Sequence, residues 1–249
     1  MASRIWHFND ISTLSSKYPA IKQGCLVDTS ILFAATYDPD KFNTDAVQLF
    51  DYLAELQIPL FANVNIRAEF LDQHRRVMIP EGLASMFVEG GSKLDRPLYL
   101  KLQSINTSMA EARRTGEAFK FNEDQIKRWR EVIRQYSPGR IDGWEYFCTQ
   151  FLKGYIEPIW DEAEEDLGIQ FLSVREEDKD DWLQTELKWD DVASLVGRFG
   201  FGSFDAMIVN LFVNSKFAAI ITADREIAYA IESLGLEDKF AIIPKGLSI

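Results

Sequence analysis

Phe217-Ala218-Ala219-Ile220-Ile221-Thr222-Ala223-Asp224 is the stretch that decides the fold. From Phe217 to Thr222 there is no charge, and the run has the length of one strand rather than of a helix. A strand apolar on both faces belongs inside a parallel sheet, covered by helices on either side. The residues after it, 225 to 234, take helical spacing and stop at Gly235, a residue suited to a helix C-terminus. Working outward, shorter versions of the same strand-then-helix unit recur. Cys25-Leu26-Val27 runs into Asp28-Thr29-Ser30, and Ile58-Pro59-Leu60-Phe61-Ala62 precedes a helix over 63 to 76 with Asn63 available as its cap. Further strand candidates are Ile169-Gln170-Phe171-Leu172-Ser173-Val174 and Phe240-Ala241-Ile242-Ile243-Pro244. Helices are predicted over 44 to 57, with Val47, Phe50, Leu53, Ala54 and Leu56 on one side, and over 180 to 197 and 204 to 215. The middle, about 93 to 166, reads as helical. One helix there begins near Glu123, presents Ile126, Trp129, Ile133 and Tyr136, and ends at Ser137-Pro138-Gly139. Residues before Cys25 read as a polar lead. Strands alternating with helices predict an α/β fold around a mainly parallel sheet flanked by helices.

Length and composition narrow the chemistry. The 249 residues suffice for one large domain or a domain with an insertion. No apolar run reaches the roughly 20 residues of a membrane span, and the first residues lack the apolar core of a secretory signal. A cytoplasmic protein with no membrane association is the expectation. Two cysteines, Cys25 and Cys148, make neither a disulfide framework nor a zinc knuckle, and two histidines, His7 and His74, supply little base or zinc chemistry. Catalysis, if present, rests on carboxylates. The net charge of −12 is regional: residues 157 to 191 carry −11 and the remainder only −1. A polyanionic ligand is therefore not excluded elsewhere.

Four acids fall where ligands gather in open α/β sheets, outside the carboxyl ends of the strands. Asp28 follows the first predicted strand and Asp224 the 217–222 strand; Glu69 lies in the helix after the second strand, and Asp205 in the first turn after Ser203. Each has a plain structural use. Asp28 and Asp224 suit helix N-caps, Asp205 suits a helix dipole, and Glu69 suits a solvated helix face. Gathered together, they would repel and call for a hard divalent cation such as Mg²⁺ or Mn²⁺.

These segments resemble the PIN-domain family, and in particular the VapC-like ribonuclease toxins. The resemblance is carried by Leu26-Val27-Asp28-Thr29-Ser30, Ile66-Arg67-Ala68-Glu69-Phe70, Ser203-Phe204-Asp205-Ala206-Met207-Ile208 and Ile220-Ile221-Thr222-Ala223-Asp224-Arg225, in that order. It covers about residues 22–76 and 168–244. It implies a PIN-like three-layer fold in a single domain, 1–249, with a core of about 22–76 and 168–249. It also implies a Mg²⁺- or Mn²⁺-dependent endoribonuclease with Asp28, Glu69, Asp205 and Asp224 as catalytic metal ligands. Thr29, Ser30 and Thr222 occupy the supporting hydroxyl positions. RNA is the implied substrate, and the toxin members add an antitoxin partner and a homodimer. The departure is a helical insertion, about 77–167, which separates Glu69 from Asp205 far more than in compact members.

Secondary signals are double-edged. Lys127, Arg130 and Arg134 form a basic stripe that can follow an RNA backbone, yet it also reads as a solvated face over a packed helix. Arg75, Arg76 and His74, on the helix that carries Glu69, are further candidate phosphate contacts. Gly197-Arg198-Phe199-Gly200-Phe201-Gly202-Ser203 lacks any phosphate-loop ending and reads as a flexible lip beside Asp205. The acidic stretch reads as solvated surface, or as an attraction for a basic partner. Two other classes stand beside the nuclease. One is a catalytically inactive PIN-like scaffold holding protein or RNA. The other is a haloacid dehalogenase-type phosphohydrolase, which asks for Asp-x-Asp where this chain has Asp28-Thr29-Ser30.

Overall fold

Buried tripeptides build the sheet. Cys25–Val27 and Ala219–Ile221 are buried throughout, as is Phe240–Ile243, which is what strands covered on both faces require. The computed structural model describes residues 4–91, 94–115, 117–136, 141–173, 175 and 178–247. In chain order the elements are β1 (Ile5–His7), α1 (Ile11–Lys17), β2 (Cys25–Val27), α2 (Thr29–Thr36), α3 (Asn43–Glu55), β3 (Leu60–Ala62), α4 (Val64–Gly90) and α5 (Arg96–Thr115). Then come α6 (Glu123–Arg134), α7 (Gly143–Phe151), α8 (Lys153–Ile156), α9 (Ile159–Leu167), β4 (Ile169–Phe171), α10 (Lys179–Trp182) and α11 (Trp189–Phe199). The chain closes with α12 (Ser203–Asn214), β5 (Ala219–Ile221), α13 (Arg225–Leu234) and β6 (Phe240–Ile243).

The protein is α/β, with one all-parallel six-stranded sheet among the described residues, in the order β1-β6-β5-β2-β3-β4, and helices as its connections. That order has a consequence. From β2 the chain steps outward through β3 to β4, then returns across β2 to β5 and steps the other way to β6. Right-handed crossovers therefore send the connections to opposite faces on the two sides of the β2–β5 pair. This is a topological switch point, where a crevice opens at the carboxyl ends of the two strands. Gly24 sets the approach of β2 to β3. Its φ is +126°, and a Cβ there would meet the Phe61 ring at 2.3 Å. Only glycine allows Cys25 N–H to reach the Pro59 carbonyl at 2.9 Å.

The chain forms two compact units, one of residues 1–38, 42–70 and 163–249, the other of 39–41 and 71–162. The first holds the sheet. The second is helical, with Leu83, Leu102, Ile126, Ile133 and Phe147 fully buried at its centre. α6 begins as its sequence suggests, with Asn122 and Gln125 forming a reciprocal capping box. Gly143 of α7 lies so close to the last turn of α6 that a Cβ would stand 2.1 Å from the Ile133 carbonyl.

Several local expectations are corrected. The polar lead contains β1, an edge strand made by pairing with β6 rather than by its own hydrophobicity. The helix expected over 44–57 buries Ala46, Leu49, Phe50 and Leu53, at i, i+3, i+4 and i+7, and leaves Val47 exposed. The helix expected over 180–197 is broken, because Leu183 makes an antiparallel bridge with Ser215 and only α11 resumes helical form. The helix capped by Asn63 runs on through Pro80 to Gly90. Val174 and the Ser137-Pro138-Gly139 stop lie outside the described residues. No single helix among the described residues is long and apolar enough to cross a membrane.

Candidate functional site

Strand register brings the first pieces together. Val27 of β2 is level with Ile221 of β5, so Asp28 and Thr222 leave the sheet side by side at the switch point. Asp28 N–H donates to the Ile221 carbonyl at 2.9 Å, and Thr222 N–H to the Ile242 carbonyl at 3.0 Å. The chain then turns at Asp28 (φ −80°, ψ 155°) into α2, with Asp28 as its N-cap.

Three donors converge on one carboxylate oxygen. Asp28 Oδ2 accepts from Thr222 Oγ1 at 2.7 Å, from Ser30 N–H at 3.3 Å and from the Ser30 hydroxyl. Each hydroxyl gives its one proton to this oxygen and also accepts a backbone N–H. Asp224 N–H points to Thr222 Oγ1 at 2.9 Å, and Ala223 N–H to Ser30 Oγ at 2.9 Å. Such donors favour the carboxylate form. Burial wins nevertheless: Asp28 is 2 % exposed, and its pKa is pushed up to about 6, with the Asp224 charge adding to the rise. Asp28 Oδ1 takes no hydrogen bond from the described residues.

Asp224 divides its oxygens in the same way. Oδ1 caps α13, accepting from Glu226 N–H at 2.7 Å and Ile227 N–H at 3.4 Å, and Oδ2 has no partner among the described residues. Asp205, half-buried in the first turn of α12, has its pKa raised by burial and then by the charges of Asp224 and Glu226. A backbone hydrogen bond at Gly202 acts in the opposite sense. Glu69, in the second turn of α4, is tied to this edge by Thr29, whose hydroxyl donates to Glu69 Oε2 at 2.9 Å. Asp28 and Asp224 thus each spend one oxygen on a helix end and leave the other without a partner among the described residues.

All four acids and the three supporting hydroxyl residues lie in the first unit. The expected basic contacts lie in the second, mostly engaged at home. Arg75 and Arg76 pair with Asp72, at 2.6 and 2.8 Å, and with Glu123. His74 is wholly buried against Tyr155. Lys127 pairs with Asp124, Arg134 with Glu131 and Asp142, and Arg130 lies over the Trp144 ring. Sequence reasoning passed over Glu226, whose charge reaches Asp205. Its signal was there, an acid in the first turn of a helix already capped by Asp224.

Hydrated Mg²⁺ or Mn²⁺ suits this donor set, which is all hard oxygen, with Asp28 and Asp205 raised in proton affinity first by burial and then by neighbouring acids. A dry cage does not. Among the described residues no group of three or more His, Cys, Asp or Glu is drawn tightly enough to enclose a metal. Asp28 Oδ1 and Asp224 Oδ2 are the carboxylate oxygens without a hydrogen-bond partner among the described residues, so they are the ones that could hold a hydrated ion. Comparison with protein-family models, curated proteins and solved structures gives no match.

Proposed function

We propose that this protein is a Mg²⁺- or Mn²⁺-dependent endoribonuclease with a PIN-like site formed by Asp28, Glu69, Asp205 and Asp224. One observation carries the reading. At the switch point of the sheet, two carboxylates each keep an oxygen without a partner, and neither is paired with a cationic side chain, among the described residues. A purely structural acid as buried as Asp28 would be neutralised or fully hydrogen-bonded.

A bound divalent ion would supply positive charge for the phosphoryl oxygens and lower the pKa of a water molecule. The chain's own groups do the rest. Thr222 and Ser30 hold Asp28 in one orientation, and Thr29 does the same for Glu69. Asp205, whose proton affinity is raised, takes the proton from the attacking water at a carboxylate oxygen. The water oxygen bonds to phosphorus, one P–O ester bond breaks and its leaving oxygen takes a proton from solvent water, so that a hydroxyl and a phosphate monoester result.

The test is incubation of a mixed, end-labelled RNA pool with Mg²⁺, Mn²⁺ or EDTA, comparing wild type with Asp28→Asn and Asp205→Asn. Metal-dependent cutting lost in both variants is the expected result. A folded wild type that neither cuts nor binds a divalent ion overturns the reading in favour of an inactive scaffold.

A further inference from the structure

Beside the carboxylates, α11 and α13 enclose an open groove of about 440 Å³ lined by Arg198, Phe199, Phe201, Arg225, Glu226 and Tyr229. Its walls are aromatic. Phe199 and Phe201 stack with ring centres 5.4 Å apart, Phe201 buried beneath, and Tyr229 stands edge-on to Phe199 at 6.4 Å. Tyr229 is 56 % exposed, on the side of α13 opposite its buried Ile227, Ala228, Ala230 and Ile231. Arg225 is one turn before Tyr229 on the same exposed side. It is exposed and makes no hydrogen bond or ion pair with the described residues. Arg198 is held instead, its guanidinium 4.8 Å over the Phe199 ring and Nη2 donating to the Ser233 carbonyl at 3.3 Å.

Two guanidinium groups beside three aromatic rings match both halves of a nucleotide, phosphate and base. We propose that this groove binds one unpaired nucleotide of a single-stranded nucleic acid, its base against the exposed Tyr229 ring and its phosphate at Arg198 and Arg225. Glu226 sets the polarity. Its carboxylate borders Asp205, so that end repels a phosphate and accepts hydrogen bonds from base amino groups. Paired bases are excluded, since stacking on a side chain requires a base removed from its own stack. The proposal rests on the nuclease reading only for the outcome of binding, which is cleavage.

The experiment is fluorescence anisotropy in EDTA, with short labelled single-stranded RNA and DNA of one sequence and a duplex of the same length. Tyr229→Ala is expected to weaken single-strand binding about tenfold, with Tyr229→Phe close to wild type because the ring is kept. Arg225→Ala is expected to reduce the slope of log K against log salt by about 0.7, the loss of one phosphate contact on a single strand. An oligonucleotide with abasic sites throughout should bind wild type as weakly as the intact one binds Tyr229→Ala. RNA and DNA arms that differ show a contact to the sugar in addition to the base. Wild type and Tyr229→Ala binding alike, duplex binding as tight as single strand, or no binding at all overturns the groove, whatever the cleavage assay gives. Tyr229-dependent binding without metal-dependent cutting supports the groove and overturns the nuclease.

Discussion

The two ends of the parallel sheet each bury a charged side chain, and they treat it in opposite ways. Lys239 sits just before β6, at the amino ends of the strands. Its Nζ donates to the carbonyls of Phe212, Ser215 and Phe217 at 3.0, 2.6 and 2.7 Å. An ammonium has three donors, and all three are used, on the end of α12 where a cation is favoured. Burial lowers its pKa to about 8, which still leaves it protonated at neutral pH. Asp28, at the carboxyl ends, has three donors on one oxygen, none from the described residues on the other, and a second acid close enough to repel it. A buried charge whose hydrogen-bonding capacity is filled is a structural part. One left partly unmatched beside a like charge is paid for in stability, and its reason has to be sought in binding.

That contrast can be broken most directly by activity. Asp28→Asn is expected to lower the metal-dependent cleavage rate by on the order of 10³-fold, whereas removal of Lys239 should leave the rate per folded molecule unchanged. A cleavage time course normalised to folded protein checks this. Stability should reverse the order. Lys239→Met strands three carbonyls, and urea unfolding should show a loss of about 3 kcal/mol; an unchanged midpoint would remove Lys239 from its structural role.

The same urea experiment on Asp28→Asn, in EDTA at pH 7.5, should show a gain of about 2 kcal/mol. The sign follows from the direction of the shift. The folded pKa, about 6, lies above the unfolded value near 3.8, so the protonated acid favours the fold below pH 4 and that contribution disappears as pH rises through 6. The gain in the Asn variant should therefore vanish at pH 4. His74, in the second unit, acts with the opposite sign. Burial lowers its pKa from 6.5 to about 4, so its contribution is full above pH 6.5 and falls away as pH drops through 4. The difference between variant and wild type, rather than either curve alone, isolates Asp28.

The smallest effect sharpens the comparison. Thr222→Val removes one donor from Asp28 Oδ2, and a carboxyl NMR titration in EDTA should find the Asp28 pKa higher by roughly half a unit to one unit. No movement would mean that Thr222 does not orient Asp28.

The chain is legible where its signals are local. The apolar runs at 25–27, 219–221 and 240–243, the Asn63 cap, the helix start near Glu123 and the stop at Gly235 follow from adjacent residues, and they fixed the fold class and the strand ends at which Asp28 and Asp224 stand. Strand β1, the break at Leu183 and the true inner face of α3 were not legible, because each depends on what a distant segment offers for pairing or burial. The site divides in the same way. Residue types and order marked the four acids, but the sharing of Asp28 Oδ2 between Ser30 and Thr222, 192 residues apart, is a product of strand register. The groove of Arg198, Phe199 and Tyr229, which a local reading left as a loop and a helix surface, comes from bringing α11 and α13 together. Periodicity, caps and turns act over a few residues and are written in the sequence. The electric field at a carboxylate and the walls of a groove come from side chains that only the folded chain makes neighbours.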